Sequence, residues 1–125
     1  MGFLIVFIGG GVGAALRHGV NLAMPRMIGT AFPYATFFEN ISGSVVMGVL
    51  AGYFAFRTGE TAQSWRLFLT TGILGGYTTF STYSLDSMLL YERGEIGMAA
   101  LYVLSSVILS IGGLAAGLAL VRQFS

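Results

Sequence analysis

Residues 72–84 read Gly72-Ile-Leu-Gly75-Gly76-Tyr77-Thr78-Thr79-Phe80-Ser81-Thr82-Tyr83-Ser84, and they lie in the middle of an uncharged stretch, 67–85. Two adjacent glycines each cost about 1 kcal/mol relative to alanine in a helix. A lone glycine pair in an apolar segment is read as a place where a neighbouring helix packs closely. Here six hydroxyl residues follow within 78–84: Thr78, Thr79, Ser81, Thr82, Tyr83 and Ser84. Their side chains compete for backbone hydrogen bonds, so the expectation is a helix broken near Gly75–Thr79. A break at membrane depth is tolerated only where the freed backbone is buried in protein or lines a cavity. Freed carbonyls and amides there are ready ligands for an ion.

The surroundings make that depth a membrane. The chain has 125 residues, 55% apolar and 9% charged, with 19 glycines. A soluble domain carries roughly a quarter of its residues as charges. Six arginines, no lysine and five acids give a net charge of +1, which leaves no footprint for nucleic acid. The absence of cysteine excludes disulfides, thiolate catalysis and thiolate metal sites. Crossing the ~30 Å hydrocarbon core takes about 20 largely apolar residues. Charges divide the chain into four such segments, at about 2–24, 33–56, 66–90 and 95–121, as one domain over 1–125. The first sixteen residues carry no positive charge, unlike a signal peptide, so they are read as part of the first helix. The fold expected is an all-α membrane protein with four transmembrane helices.

With four crossings both termini share a side. Arg57, Arg66 and Arg122 fall there, against Arg26, Arg93 and the nearby Arg17 on the other. Orientation follows arginine bias, and three against two or three is almost none. Such a chain could insert both ways up, two copies then forming an antiparallel homodimer; the alternative is a single orientation set by the weak bias or by a partner. The spacings Gly9-xxx-Gly13, Gly48-xxx-Gly52, Gly72-xxx-Gly76 and Gly113-xxx-Gly117 point to close helix packing, within or between chains.

Polar residues inside spans are where function is sought. Helix four carries Tyr102, Ser106 and Ser110, and helix two carries Thr36, Asn40 and Ser44, both at i, i+4, i+8. Each series extends about 12 Å along one face, long enough for a track. The alternative for each hydroxyl is a bond back to the carbonyl four residues earlier. With no lysine or histidine among them, the lining is neutral and rich in donors, suited to a small anion. Phe80 and Tyr83 share a face, and ring edges are electropositive. Arg17 either draws anions to a vestibule or serves structure, snorkelling to the interface or bonding helix C-terminal carbonyls. His18 reads as interfacial, and Trp65, Tyr34, Tyr53 and Tyr91 as membrane-interface anchors. No nucleophile–base pair, metal-ligand cluster or phosphate loop is present. Gly9-Gly10-Gly11-Val12-Gly13 follows no strand, which rules out a dinucleotide loop.

Three stretches resemble the CrcB/Fluc family of bacterial fluoride channels. They are Gly13-Ala-Ala-Leu-Arg17; Thr36-Phe-Phe-Glu-Asn40-Ile-Ser-Gly43-Ser44, against T-x-x-x-N-x-x-G-S; and Gly75-Gly-Tyr-Thr78-Thr-Phe80-Ser-Thr-Tyr83-Ser, against G-G-x-T-T-F-S-T-F-S. The resemblance implies a dual-topology homodimer in the bacterial inner membrane, with two antiparallel pores that export fluoride passively and exclude chloride. It implies a fluoride pathway along Asn40, Phe80, Tyr83, Ser81, Thr82, Thr36, Ser44, Tyr102, Ser106 and Ser110, with Arg17 at the vestibule. It also implies a structural sodium ion at the dimer centre, held by the backbone carbonyls of Gly75 and Thr78. Tyr83 stands where phenylalanine is usual, adding a hydroxyl beside the anion site, and Asp86 stands where glutamate is common. Glu39 departs further, because an ionised carboxylate beside Asn40 would repel an anion. Helical geometry turns it about 100° from the Asn40 face. Glu39 also supports a different function, a proton-coupled multidrug antiporter with Glu39 as the coupling carboxylate. A small accessory subunit, with no ion path of its own, is a third.

Overall fold

The computed structural model describes residues 1–124, which are all-helical apart from turns and short links. Helix α1 spans Gly2–Ile28 and α2 Tyr34–Phe54. Helix α3, Glu60–Arg66, continues without interruption into a π-wound stretch, Leu67–Leu74, and one further turn, α4, Gly75–Tyr77. After a two-residue gap come α5, Phe80–Glu92, and α6, Ile96–Gln123. Helices α1, α2 and α6 are each long and apolar enough to cross a membrane.

Several ends differ from those that charge alone indicates. Helix α1 runs past Pro25 to Ile28, four residues beyond the expected end at 24. Pro25 already has a helical φ, and although it gives up its own amide bond and crowds the carbonyl four residues earlier, the last turn continues past it. The Gly29 amide then donates to the Pro25 carbonyl at 2.9 Å, and Gly29 leaves the helix at φ 100°. Arg26 lies in that last turn, where a cation meets the exposed carbonyls. The third segment begins at Glu60 rather than 66, with the acid in the first turn, where the helix dipole favours it. Charge marks membrane boundaries, and helices continue beyond them.

The glycine pairs are used within the chain. Helices α1 and the 67–77 stretch run parallel: Gly9 faces Phe68 and Gly72, and Gly13 faces Ile73 and Tyr77 further along. A Cβ on Gly9 would stand 2.8 Å from the Phe68 carbonyl oxygen. Helices α2 and α6 are also parallel, with Gly48 against Leu114 and Gly52 against Val121. Gly117 returns the contact, its Cβ position lying 2.5 Å from the Val45 carbonyl oxygen. Backbone therefore meets backbone in both pairs, the closest approach two helices can make. The larger side chains gather at one end, where Tyr83, Leu90, Ala99 and Tyr102 form a core with Phe32 and Phe37 against it. The Tyr102 ring meets Phe32 edge-on at 5.3 Å and Tyr83 at 5.2 Å.

Substituting Gly13 by alanine places a methyl on the Ile73 carbonyl, which no side-chain rotation relieves. The expected cost is about 1–3 kcal/mol, read as a lower midpoint of thermal unfolding in detergent. Gly11, with open space around it, is the control: Gly11→Ala meets no neighbour and gains up to about 1 kcal/mol of helix propensity, so its midpoint should not fall.

Candidate functional site

The site is built around the gap between α4 and α5. Gly75 and Gly76 remain helical, and the chain leaves the helix at the two threonines: Thr78 has φ −87° and ψ 155°, and Thr79 φ −154° and ψ 126°. The break thus falls at the C-terminal edge of the expected window. β-Branched threonines tolerate extended backbone well, and each finds a local bond. Thr78 closes α4 by donating its amide (2.9 Å) and hydroxyl (3.0 Å) to the Leu74 carbonyl. Thr79 opens α5, its hydroxyl oxygen accepting from the Thr82 amide at 3.3 Å and lying 3.2 Å from Ser81 Oγ.

An interruption in a helix leaves amides and carbonyls without partners. Asn40 of α2 serves both groups of Thr79: its Nδ2 donates to the Thr79 carbonyl at 3.1 Å, and its Oδ1 accepts from the Thr79 amide at 3.0 Å. One Nδ2 hydrogen stays available. From α1, Arg17 Nε donates to the Gly76 carbonyl at 2.9 Å, so this cation caps a helix C-terminus. Ser42, bonded back to the Phe38 carbonyl, also holds the Tyr77 hydroxyl at 3.0 Å. The Gly75 and Thr78 carbonyls accept no hydrogen bond among the described residues.

Beside the break runs a groove of about 340 Å³. Asn40 and Ser44 line it from α2, Phe80 and Tyr83 from α5, and Ser106 and Ser110 from α6. It is open along one side, where Phe80 is 77% exposed and Ile111 66%. The hydroxyls divide into two classes. Ser42, Ser87, Ser105 and Thr70 bond back to the carbonyl four residues earlier. Ser106 Oγ is buried with no partner, and the groove hydroxyls of Ser44 and Ser110 make no hydrogen bond among the described residues. The serines on the groove are thus the ones whose donors stay free.

The remaining expected residues lie elsewhere. Four residues turn a helix by about 400°, so an i, i+4, i+8 series drifts by about 80° over its length. Thr36 and Tyr102, the first members of the two series, therefore leave the groove wall and are buried, 4% and 0% exposed. The Tyr102 hydroxyl donates to Asp86 Oδ2 at 3.3 Å. Ser81 is exposed and Thr82 half-buried, both occupied at the start of α5 rather than on the groove. The extra hydroxyl of Tyr83 is not free beside an anion site, because it donates to the Val103 carbonyl at 2.8 Å. Phe80 and Tyr83 are neighbours with ring centres 5.5 Å apart. Glu39 is fully buried, and neither carboxylate oxygen has a hydrogen-bond partner. Its face could have been found from Gly43: Thr36, Glu39 and Gly43, at i, i+3 and i+7, form the buried stripe of α2.

Two substitutions test this geometry. Asn40→Ala removes both side-chain bonds to Thr79, and amide hydrogen exchange at Thr79 should accelerate with a loss of about 1–3 kcal/mol in stability. Tyr83→Phe removes one hydrogen bond and keeps the ring, so it should cost only about 1 kcal/mol in thermal unfolding.

Comparison with known proteins places this architecture in a family. The family model described as "CrcB-like protein, Camphor Resistance (CrcB)" matches residues 4–118. A Nitrobacter hamburgensis protein named "Fluoride-specific ion channel FluC 2" is 63% identical over the full length of both chains. A Rhodopseudomonas palustris protein named "Fluoride-specific ion channel FluC" is 66% identical, again over both full lengths. A protein of that name from Methylobacterium nodulans is 60% identical over 97% of this chain and 96% of its own. With a matching family model over most of its length and close relatives end to end, this chain belongs to the CrcB family.

Proposed function

We propose that this chain is a fluoride-selective ion channel that carries fluoride passively out of the cytoplasm across the bacterial inner membrane and so confers fluoride resistance. The observation that carries this reading is the groove with its free Ser44, Ser106 and Ser110 hydroxyls, the spare Asn40 N–H and the two aromatic rings. The close relatives named as fluoride-specific channels support it. Fluoride is small and strongly hydrated, so a pathway selects it by replacing lost water with close, neutral donors. A fixed cation would hold the ion too tightly to let it leave, and the groove has none.

Free hydroxyls in a groove open to lipid are unfavourable, which argues for a second copy as its cover. In this reading the chain is one four-crossing domain, the broken 60–92 segment making the third crossing. Two chains pair antiparallel, as the even arginine distribution allows, and enclose two pores. The free Gly75 and Thr78 carbonyls suit a sodium ion on the two-fold axis, since unwound backbone carbonyls are common sodium ligands. Two chains would present four such oxygens. Sodium there would supply positive charge that holds the two breaks together.

The test is purified protein in liposomes, with fluoride release followed by an electrode after the membrane potential is relieved. The expected result is fast release of fluoride, none of chloride, and no requirement for a proton gradient. Phe80→Ile and Asn40→Ala should each slow release by about tenfold or more, as loss of ~1.4 kcal/mol of stabilisation implies, with the dimer still recovered by cross-linking. Release that needs a pH gradient or an organic cation would instead support the antiporter.

A further inference from the structure

Glu39 is the one charged side chain with no exposure, and its two carboxylate oxygens are unpartnered among the described residues. An isolated ionised carboxylate is costly away from water, and intramembrane carboxyls belong by default to function. Its surroundings say which function. One turn along α2 in one direction is Gly43, which lines the groove. One turn in the other is Thr36, beside the Tyr102 hydroxyl that donates to Asp86 at 3.3 Å. Asp86 lines a second hollow of about 320 Å³ at the end of the bundle, with Phe32, Tyr34 and Arg93. Glu39 therefore stands on α2 between Gly43 on the groove wall and a polar connection to that hollow.

We propose that Glu39 is a proton-binding site behind the groove wall, and that an anion passes Asn40 only while Glu39 holds a proton. Ionised, Glu39 sets a full negative charge next in sequence to the groove residue Asn40. Protonated, it removes that charge and adds an O–H donor. The charged groups that face it are Arg17 from α1 and Asp86 from α5. Arg17 Nε is held by the Gly76 carbonyl, and Asp86 by the Tyr102 hydroxyl of α6. Tyr77 of α4 is engaged with Ser42. The step is simple association: a proton from water in the second hollow binds one carboxylate oxygen, and no other bond changes. This proposal rests on the fluoride-channel reading and adds a condition on when conduction occurs.

The experiment uses the full chain in liposomes with identical buffer on both sides, over about pH 5 to 9, the range in which buried carboxyls titrate. Leak from protein-free liposomes is subtracted. Fluoride flux in the natural protein is expected to fall by about tenfold as pH rises, and in Glu39→Gln the pH dependence is expected to vanish. Flat flux in the natural protein, or a Glu39→Gln variant that titrates as the natural protein does, overturns the proposal. Difference infrared spectra of the same lipid samples give a readout independent of flux. A protonated-carboxyl band that bleaches as pH rises and is missing in Glu39→Gln supports the proton site; no such band overturns it. Absence of fluoride flux at every pH contradicts the channel reading instead, and the infrared result then still decides the proton site.

Discussion

The bidentate hold of Asn40 on Thr79 is the constraint on which the rest of the structure depends. A helix interrupted away from water needs a partner for each amide and carbonyl that it releases. Asn40 supplies one donor and one acceptor to a single extended residue, as a neighbouring strand would. Arg17 takes the Gly76 carbonyl on the opposite side. With those groups served, α5 can leave the line of α4 and bring Phe80 and Tyr83 against the serines of α6. Close glycine packing of α1 on the 67–77 stretch, and of α2 on α6, brings the side chains within reach. Asn40 is thus a positioning residue first, and only its remaining N–H faces the groove.

A similar division separates structural hydroxyls from free ones. In apolar surroundings a serine that bonds back to its own helix has little left to offer an ion. Ser42, Ser87 and Ser105 do this, whereas Ser44, Ser106 and Ser110 keep their donors for whatever enters the groove. Tyr83 belongs to the first class through its bond to Val103, so the change from phenylalanine leaves the groove side of the ring much as it would be. Neutral donors that a helix has not consumed are the right chemistry for an anion that must bind and leave.

Much of this was legible in the sequence. The scarcity of charge marks a membrane protein, and Gly75-Gly-Tyr-Thr-Thr marks the break to within a few residues. The glycine spacings show close packing, although they do not tell packing within a chain from packing between chains. What the sequence hides comes from helical drift and tertiary competition. Thr36 and Asn40 look aligned at i and i+4, yet the drift buries Thr36 with Glu39 and leaves Asn40 at the break. Gly75 and Gly76 look like the breakers, but a helix can keep glycine when a neighbour presses on it, as Gly10 and Ala14 of α1 do on Gly76. The choice Arg17 makes, a carbonyl cap over an open vestibule, depends on a residue 59 positions away and has no local signal.

Passage of fluoride, and of no other ion, down its own gradient is the property on which the functional reading stands. Current recorded across a planar bilayer, with fluoride graded and chloride and pH equal on the two sides, tests it most directly. The reversal potential is expected to shift by about 59 mV for each tenfold fluoride gradient and to stay put when a chloride or pH gradient is imposed instead. A reversal potential that followed chloride or protons, or protein that carried no current, would contradict it.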